Sequence, residues 1–384
     1  MIVVPEASSL GGPAFGVVCL PGLLHTNPYQ RLLYDSLESE GFVLTEDVRL
    51  KVGSLVRGRR RARILHFHWP ELQYRQFAGP QLLRGPLAAA RLAVVAGRLA
   101  IARILGFRVV WTVHQVYPHE RSTPLVDRVA ARLLAVTASR LIVHDEATRT
   151  TLGAELGPRA ARKVRVIPHG SYVDVYPAGR PRADARAALA LDEQTFVFLS
   201  FGHIRAYKGI DLLLAAFAEV REPAVALIVA GMVHDATAEQ SLREAAAADP
   251  RIRLELGFVP DDAVGDLFAA ADVAVVSRPD GGTSGSLVLA LSQGLPVVAA
   301  ETAAYGELVG AAGWLFTPDD EHALTAALEA AAAGREAVCR ERASAADPGR
   351  VTAWPAVAAA TAAVFREALA ANARAPSAAV RETT

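Results

Sequence analysis

The apolar positions of this chain fall into short runs, each bounded by glycine, proline or polar residues and separated by stretches of helical periodicity. Residues 16–20 (GVVCL), 64–69 (ILHFHW), 108–113 (RVVWTV), 140–143 and 163–167 each read as a strand. Runs this continuous, without strict alternation, suit strands buried on both faces. Between the strands, Leu32, Leu33 and Leu37 mark an amphipathic helix that starts near Tyr29 and closes at Gly41. Asn27 before Pro28 supplies its start signal. Further helices are expected over 87–105 and 124–138. Residues 176–192 (YPAGRPRADARAALALD) are rich in proline, alanine and charge, which predicts a linker with a short helix and a domain boundary between 178 and 193. The same rhythm then resumes. Strands are expected over 195–200, 224–230, 252–256, 272–277 and 296–299. Helices are expected from Asp211, over 238–248, 262–270 and 286–293, and finally from Trp354 to about residue 370. Residues 371–384 read as a tail. Alternating strands and helices predict an α/β chain with a doubly wound sheet in each of two domains, 1–178 and 194–350.

Composition changes this picture little. At 384 residues, 52% of them hydrophobic and 21% charged, each domain has material for its own core. The two cysteines, Cys19 and Cys339, are too far apart to suggest a disulfide framework or a metal motif, so a reducing cytoplasm is expected. The start of the chain has no signal-peptide pattern, and the apolar run 87–107 is broken by Arg91, Arg98 and Arg103, which argues against a membrane span.

Charge adds more. Residues 1–180 hold 24 Lys and Arg against 13 Asp and Glu, and the remainder holds 16 against 27. The first half therefore either meets something anionic, such as the inner face of a membrane or a phosphorylated acceptor, or carries an arginine-rich solvated surface. The run 57–63 (RGRRRAR) has the same two readings. No nucleic acid is expected as a partner.

The most informative stretch is 201–217, FGHIRAYKGIDLLLAAF. A strand ends at Gly202, two cations follow at Arg205 and Lys208, and a helix begins near Asp211. Strand, basic glycine loop and helix together hold a phosphate at the carboxyl edge of a parallel sheet. Gly281–Ser286 (GGTSGS), at another helix start, offers a second phosphate site, with backbone N–H donors, the Thr283, Ser284 and Ser286 hydroxyls and the Gly285 amide. In the first half, His114 ends a strand and Glu120 lies in the loop beyond it. Such a pair at a sheet edge suits acid–base work, although a strand-end histidine can also serve only its own backbone. His66 and His68 share a strand face, but no third ligand has metal spacing, so no metal site is expected.

Residues 195–370 resemble the nucleotide-sugar-binding domain of glycosyltransferases with two facing Rossmann-like domains, the GT-B architecture, most closely family 4 and the bacterial exopolysaccharide-type group 1 transferases. The resemblance rests on FGHIRAYKGIDLLLAAFAEV, LELGFVPDDAVGDLFAAADVAVVSR and GTSGSLVLALSQGLPVVAAETAAYGELVG. The first half matches more loosely through NPYQRLLYDSL, VWTVHQVYPHE and VIPHGSY. The resemblance implies transfer of a sugar from a nucleotide-diphosphate sugar to a saccharide, lipid-linked or small-molecule acceptor in the interdomain cleft, with no further cofactor and no metal. It implies that Gly202, Arg205, Lys208 and Thr283–Ser286 bind the donor diphosphate and that Gly257, Phe258 and Val259 bind the nucleoside. His114 and Glu120 would carry the chemistry, with Asn27, Tyr29 and His68 on the acceptor side. The helix from Trp354 would cross back to the first domain. Two departures stand out. The family's phosphate arginine falls on His203, with Arg205 nearby. Its paired glutamates fall on Gly281 and Leu289, with Asp280 adjacent to the first. These losses keep open a second reading, a non-catalytic GT-B binding or partner subunit. A sugar-nucleotide epimerase on a similar fold fits the terminal helix and the lysine loop less well.

Overall fold

The computed structural model describes residues 15–24, 27–75, 80–118, 122–278, 282–318, 320, 322–334, 338 and 351–370. The chain forms two units. The first comprises Met1–Pro168 and Ala353–Thr384, the second His169–Thr352.

The first unit runs β1 (Phe15–Leu20), α1 (Tyr29–Glu38), β2 (Phe42–Leu44), α2 (Val52–Gly58), β3 (Ala62–Phe67), α3 (Glu71–Tyr74), α4 (Gln81–Ile104), β4 (Arg108–Thr112), α5 (Pro124–Thr137), β5 (Arg140–Val143), α6 (Glu146–Leu156), α7 (Pro158–Ala161) and β6 (Val164–Val166). Its six strands are parallel, in the order β2-β1-β3-β4-β5-β6. Alternation along each strand splits the core in two. Val18 and Leu20 of β1, Leu65 and Phe67 of β3, and Trp111 of β4 pack against Leu55 of α2, Leu99 of α4, Leu134 of α5 and Leu152 of α6. Val17, Ile64 and Val110 face the other way, onto Leu33 and Leu37 of α1. Covering both faces explains the unbroken apolar runs seen in the sequence.

The second unit runs α8 (Arg182–Ala188), β7 (Phe196–Phe201), α9 (Ile210–Glu219), β8 (Val225–Gly231), α10 (Ala236–Ala248), β9 (Ile252–Leu256), α11 (Asp261–Ala270), β10 (Val273–Val276), α12 (Gly285–Ser292), β11 (Val297–Ala300), α13 (Ala303–Val309), β12 (Gly313–Phe316) and α14 (Ala323–Ala333). The last helix, α15 (Trp354–Ala370), belongs to the first unit, where Val357, Ala358, Ala362 and Phe365 complete the layer on α1. The second sheet is also six-stranded and parallel, in the order β12-β11-β10-β7-β8-β9. Chain direction across this sheet reverses between β7 and β10, so the loops after these two strands part at their carboxyl ends. In open α/β sheets that crevice is where ligands sit.

The chain crosses between units at Pro168/His169, not within 178–193 as the composition suggested. The proline-, glycine- and arginine-rich segment is instead fastened to the second unit. A Cβ on Gly179 would lie 2.2 Å from the Gly265 carbonyl oxygen, so only glycine fits there. Arg180 pairs with Asp266 through 2.9 and 2.6 Å bonds, and Arg182 pairs with Asp272. Arg186 is buried. It donates to the carbonyl oxygens of Ala270 (3.0 Å), Glu193 (2.8 Å) and Thr195 (2.8 Å) and to the Asp272 carboxylate (2.7 Å). The same carboxylate accepts from the Val197 N–H at 2.8 Å, which anchors β7. The residues that look like a linker are therefore a clamp around the start of β7 and β10.

Removing one member of a buried, fully bonded ion pair strands its partners without water. Arg186→Met is expected to destabilise the second unit by about 3–5 kcal/mol, measured by urea unfolding. A loss below about 1 kcal/mol would place Arg186 with surface ion pairs, which contribute little.

Candidate functional site

Strand β7 leads into a loop whose first residue, Gly202, has φ of +122°, in the region that glycine favours. Its N–H donates to the Ala230 carbonyl, and its own carbonyl oxygen lies 2.0 Å from where a Cβ on Gly231 would be. The two glycines abut because neither has a side chain. On its open side, a Cβ on Gly202 would fall 2.8 Å from Ser286 Oγ and 3.6 Å from Lys208 Nζ. The basic loop after β7 and the start of α12 thus converge on one small space above Gly202. Ser277, at the end of β10, ties the two loops by donating to the Lys208 carbonyl at 3.1 Å.

The N-terminus of α12 is capped by Ser284, whose Oγ accepts from the Leu287 N–H at 3.3 Å. That oxygen is committed to the helix, so the cradle consists of the Gly285 and Ser286 end of the helix and the Ser286 hydroxyl. Tyr172 Oη lies 3.4 Å from a would-be Cβ on Gly285, and the Tyr172 N–H is held by Ser292 Oγ at 2.8 Å. Burial, with Arg278 and Arg205 nearby, lowers the Lys208 ammonium from 10.5 to about 8. The Arg278 guanidinium lies over the Tyr207 ring at 5.5 Å. Three cationic side chains and a helix N-terminus around one space form an anion site of high charge density. His203, where the family places an arginine, pairs with His234, Nδ1 to Nε2, at 2.6 Å. At the end of β9, Gly257 has φ of +124°, Val259 is half-buried and Phe258 is 66% exposed. Thr283 is half-buried in the loop before α12. Asp280 and Gly281 lie outside the described residues, and Leu289 is buried within the core of the unit.

In the first unit, the sequence-nominated residues gather on the face covered by α1 and α15. His114 follows β4 and is half-buried. Trp69 stacks on it with ring centroids 4.6 Å apart, and Tyr29 meets its edge at 5.0 Å. Tyr29 and His68, expected on the acceptor side, are both buried. Tyr29 lies among the rings of His68, His114, His144 and Trp354. Asn27 Oδ1 accepts from the Tyr29 N–H at 2.9 Å, so Asn27 secures the start of α1, which begins at Tyr29 as the sequence predicts. Burial lowers His66 to about 3, holds His68 well below its ordinary value and lowers His144, so all three are neutral at pH 7. Glu120 lies outside the described residues. Among the described residues, no group of three or more His, Cys, Asp or Glu is arranged to hold a metal ion.

Sequence reasoning missed Arg278, Tyr172 and Tyr34. The signal for Arg278 was a basic residue directly after a strand whose neighbour in space is the glycine-ended strand β7. Tyr34 lies on the core-facing stripe of α1 with Gln30, Leu33 and Leu37, where a polar aromatic stands out.

Residues 195–342 match the family model described as "Glycosyl transferases group 1". The chain is 29% identical over 313 residues to the GDP-mannose:glycolipid 4-beta-D-mannosyltransferase of Xanthomonas campestris pv. campestris, with 77% of each chain covered. Among solved structures, it resembles the sucrose-phosphate synthase of Thermosynechococcus elongatus, with a TM-score of 0.70 and 18% identity over 93% of this chain and 100% of that one. It also resembles HepE of Anabaena in complex with UDP and glucose, with a TM-score of 0.69 and 19% identity over 92% of this chain and 99% of that one. At such identities the structural likeness is one of fold.

The lowered Lys208 value has a sign that can be measured. Between about 8 and 10.5 the unfolded chain keeps this proton and the folded chain does not, so folding stability rises with pH across that window. Relative to Lys208→Met, the protein is expected to gain stability as pH rises from 8 to 10. The check is paired urea unfolding of the two proteins, and a constant difference between them would refute the buried charge.

Proposed function

We propose that this chain, a group 1 glycosyltransferase of the two-domain GT-B type, moves a sugar from a nucleoside-diphosphate sugar to an acceptor hydroxyl without a metal ion. The bond from the anomeric carbon to the diphosphate oxygen breaks, the bond to the acceptor oxygen forms, and the acceptor gives up its proton. Negative charge grows on the leaving diphosphate as this happens. Lys208, Arg205, Arg278 and the start of α12 stabilise that charge more in the transition state than in the ground state, which is the condition for catalysis. Thr283 and the Ser286 hydroxyl hold phosphate oxygens. Exposed Phe258, beside Gly257 and Val259, offers its ring to the base. The convergence of Lys208 Nζ and Ser286 Oγ on Gly202 carries this reading.

His114 meets the donor sugar or the acceptor hydroxyl. Its Xanthomonas relative is named for GDP-mannose and a glycolipid, which makes GDP-sugars and lipid-linked acceptors the first pair to test here. The second reading, a binding subunit without turnover, is favoured by Leu289, an apolar core residue where the family carries a carboxylate.

We infer in addition that the first unit meets anionic lipid. Helix α4 contains no acidic residue, and the single acid of α5, Asp127, is buried in a pair with Arg75. Apart from Gln81, their exposed positions are apolar or basic, among them Leu82, Leu83, Leu87 and Val94 with Arg91 on α4, and Leu125, Val129 and Val136 with Arg128 and Arg132 on α5. Apolar side chains that enter the interface beside arginines that find phosphate suit a membrane surface. No helix among the described residues is long and apolar enough to cross a membrane.

Lys208→Ala is expected to lower turnover by about 10²-fold or more with little change in melting temperature. Unchanged turnover would remove Lys208 from the site, and nucleotide binding without turnover on any acceptor would favour the binding subunit. The lipid contact predicts co-sedimentation with phosphatidylglycerol vesicles but not with pure phosphatidylcholine, weakened by salt and by the double change Leu125→Glu and Arg128→Glu. Equal binding to both vesicles would exclude an electrostatic contact.

A further inference from the structure

The first unit contains one continuous chain of hydrogen bonds between side chains. Thr112 Oγ1 lies 2.8 Å from His66 Nε2, and His66 Nδ1 lies 2.9 Å from Tyr34 Oη. Tyr34 Oη lies 3.0 Å from His68 Nε2, and His68 Nδ1 lies 3.1 Å from His114 Nε2. The geometry follows from strand periodicity. His66 and His68 point to the same side of β3, Thr112 and His114 to the same side at the end of β4, and the two strands are paired with His66 opposite Val110. Tyr34 reaches this row from α1. Thr112, His66, Tyr34 and His68 are buried, and His114 is half-buried.

We propose that this row is a relay that sets which nitrogen of His114 carries its proton, with Tyr34, His66 and Thr112 as positioning residues for His114. The proposal rests on His114 taking part in the transfer reaction. Each buried imidazole is neutral and so offers one donor and one acceptor. A single proton is shared between His68 Nδ1 and His114 Nε2, so the two rings have linked tautomers. If the His68 proton is on Nε2 it donates to Tyr34 Oη, His68 Nδ1 accepts from His114 Nε2–H, and the lone pair of His114 is on Nδ1. If the His68 proton is on Nδ1 it occupies the lone pair of His114, which is left as a donor only and cannot take a proton.

The geometry points to the first arrangement. The Tyr34 hydroxyl has one hydrogen and faces two other acceptors besides His68: His66 Nδ1, and the buried thiol of Cys19, with which it also interacts. When His66 donates from Nε2 to Thr112, its Nδ1 takes that hydrogen, and Tyr34 Oη is left to accept from His68. All donors then point inward from His114 to Thr112. This polarity also lets His114 accept a proton on Nδ1 during the reaction without any hydrogen in the row moving. Tyr34→Phe removes the acceptor for His68 Nε2–H. A buried donor without a partner is costly, so the proton moves to His68 Nδ1, where His114 accepts it, and His114 loses its basic nitrogen.

The test is nitrogen-15 NMR of the histidine rings in the full chain, alongside steady-state kinetics. Wild type is expected to show His114 protonated on Nε2, and Tyr34→Phe to show it protonated on Nδ1. Turnover is expected to fall by about 10²-fold, with the donor KM little changed. Thr112→Val, made together with Cys19→Ala so that the Tyr34 hydrogen has only His68 left to bond, lies at the far end of the row and does not touch His114. It is expected to flip the same tautomer, which keeps the test decisive should Tyr34→Phe fail to fold. An unchanged His114 tautomer in a folded variant would overturn the relay. A flip without loss of turnover would support the relay and remove His114 from the chemistry instead.

Discussion

A cation loses stability wherever water is drawn away from it, and the carboxyl edge of the second sheet draws water away from Lys208. Much of the second unit serves to hold that ammonium where it is. The reversal of strand order opens the space, and Gly202 and Gly231 lower its floor by having no side chains. Ser277 fixes the Lys208 carbonyl, and Ser284 caps the start of α12, whose Ser286 hydroxyl reaches the same space. With Arg205 and Arg278 also close, the buried ammonium sits among like charges, and an anion placed there would offset both costs. The cost of burying an ammonium and its suitability for an anion are thus two sides of one arrangement.

The first unit solves the opposite problem. Its buried His66 and His68 are kept neutral by burial, and the hydrogen bonds of the row run between rings and hydroxyls with no ion pair among them. Charge is held at one centre and proton position at the other. The reaction proposed above needs both, because its leaving group gains negative charge while its nucleophile sheds a proton.

Most of this architecture was legible in the sequence. Strands with continuous apolar runs, such as 225–231, were found with nearly correct ends, because burial on both faces leaves no ambiguity of pattern. β12 was missed. Gly313 begins it because a Cβ there would lie 1.9 Å from the Val297 carbonyl oxygen, so its first residue carries no apolar signal at all. The linker expected over 176–192, with its boundary between 178 and 193, was misjudged for a related reason. Proline, glycine and arginine commonly mark exposed loops, but here Gly179 is a close backbone approach and Arg186 a buried hub, and only tertiary partners distinguish the two cases. At the site, Lys208 and the start of α12 could be named from local pattern. Tyr34 stood out only as a polar aromatic on a core-facing stripe, since its partners His66 and His68 lie on and just after strand β3, far along the chain.

The final helix, α15, has a consequence for how the molecule is made. The second unit is a continuous segment, His169–Thr352, whereas the first is split around it. The layer on α1 is finished only by Val357, Ala358, Ala362 and Phe365. During synthesis from the N-terminus, the second unit can fold as soon as its own residues have emerged, but the first waits with the apolar face of α1 uncovered until α15 has been made. Helix α15 therefore acts as a seal on segments made long before it, and a chain cut short after the second unit would carry that unit whole and the first unfinished.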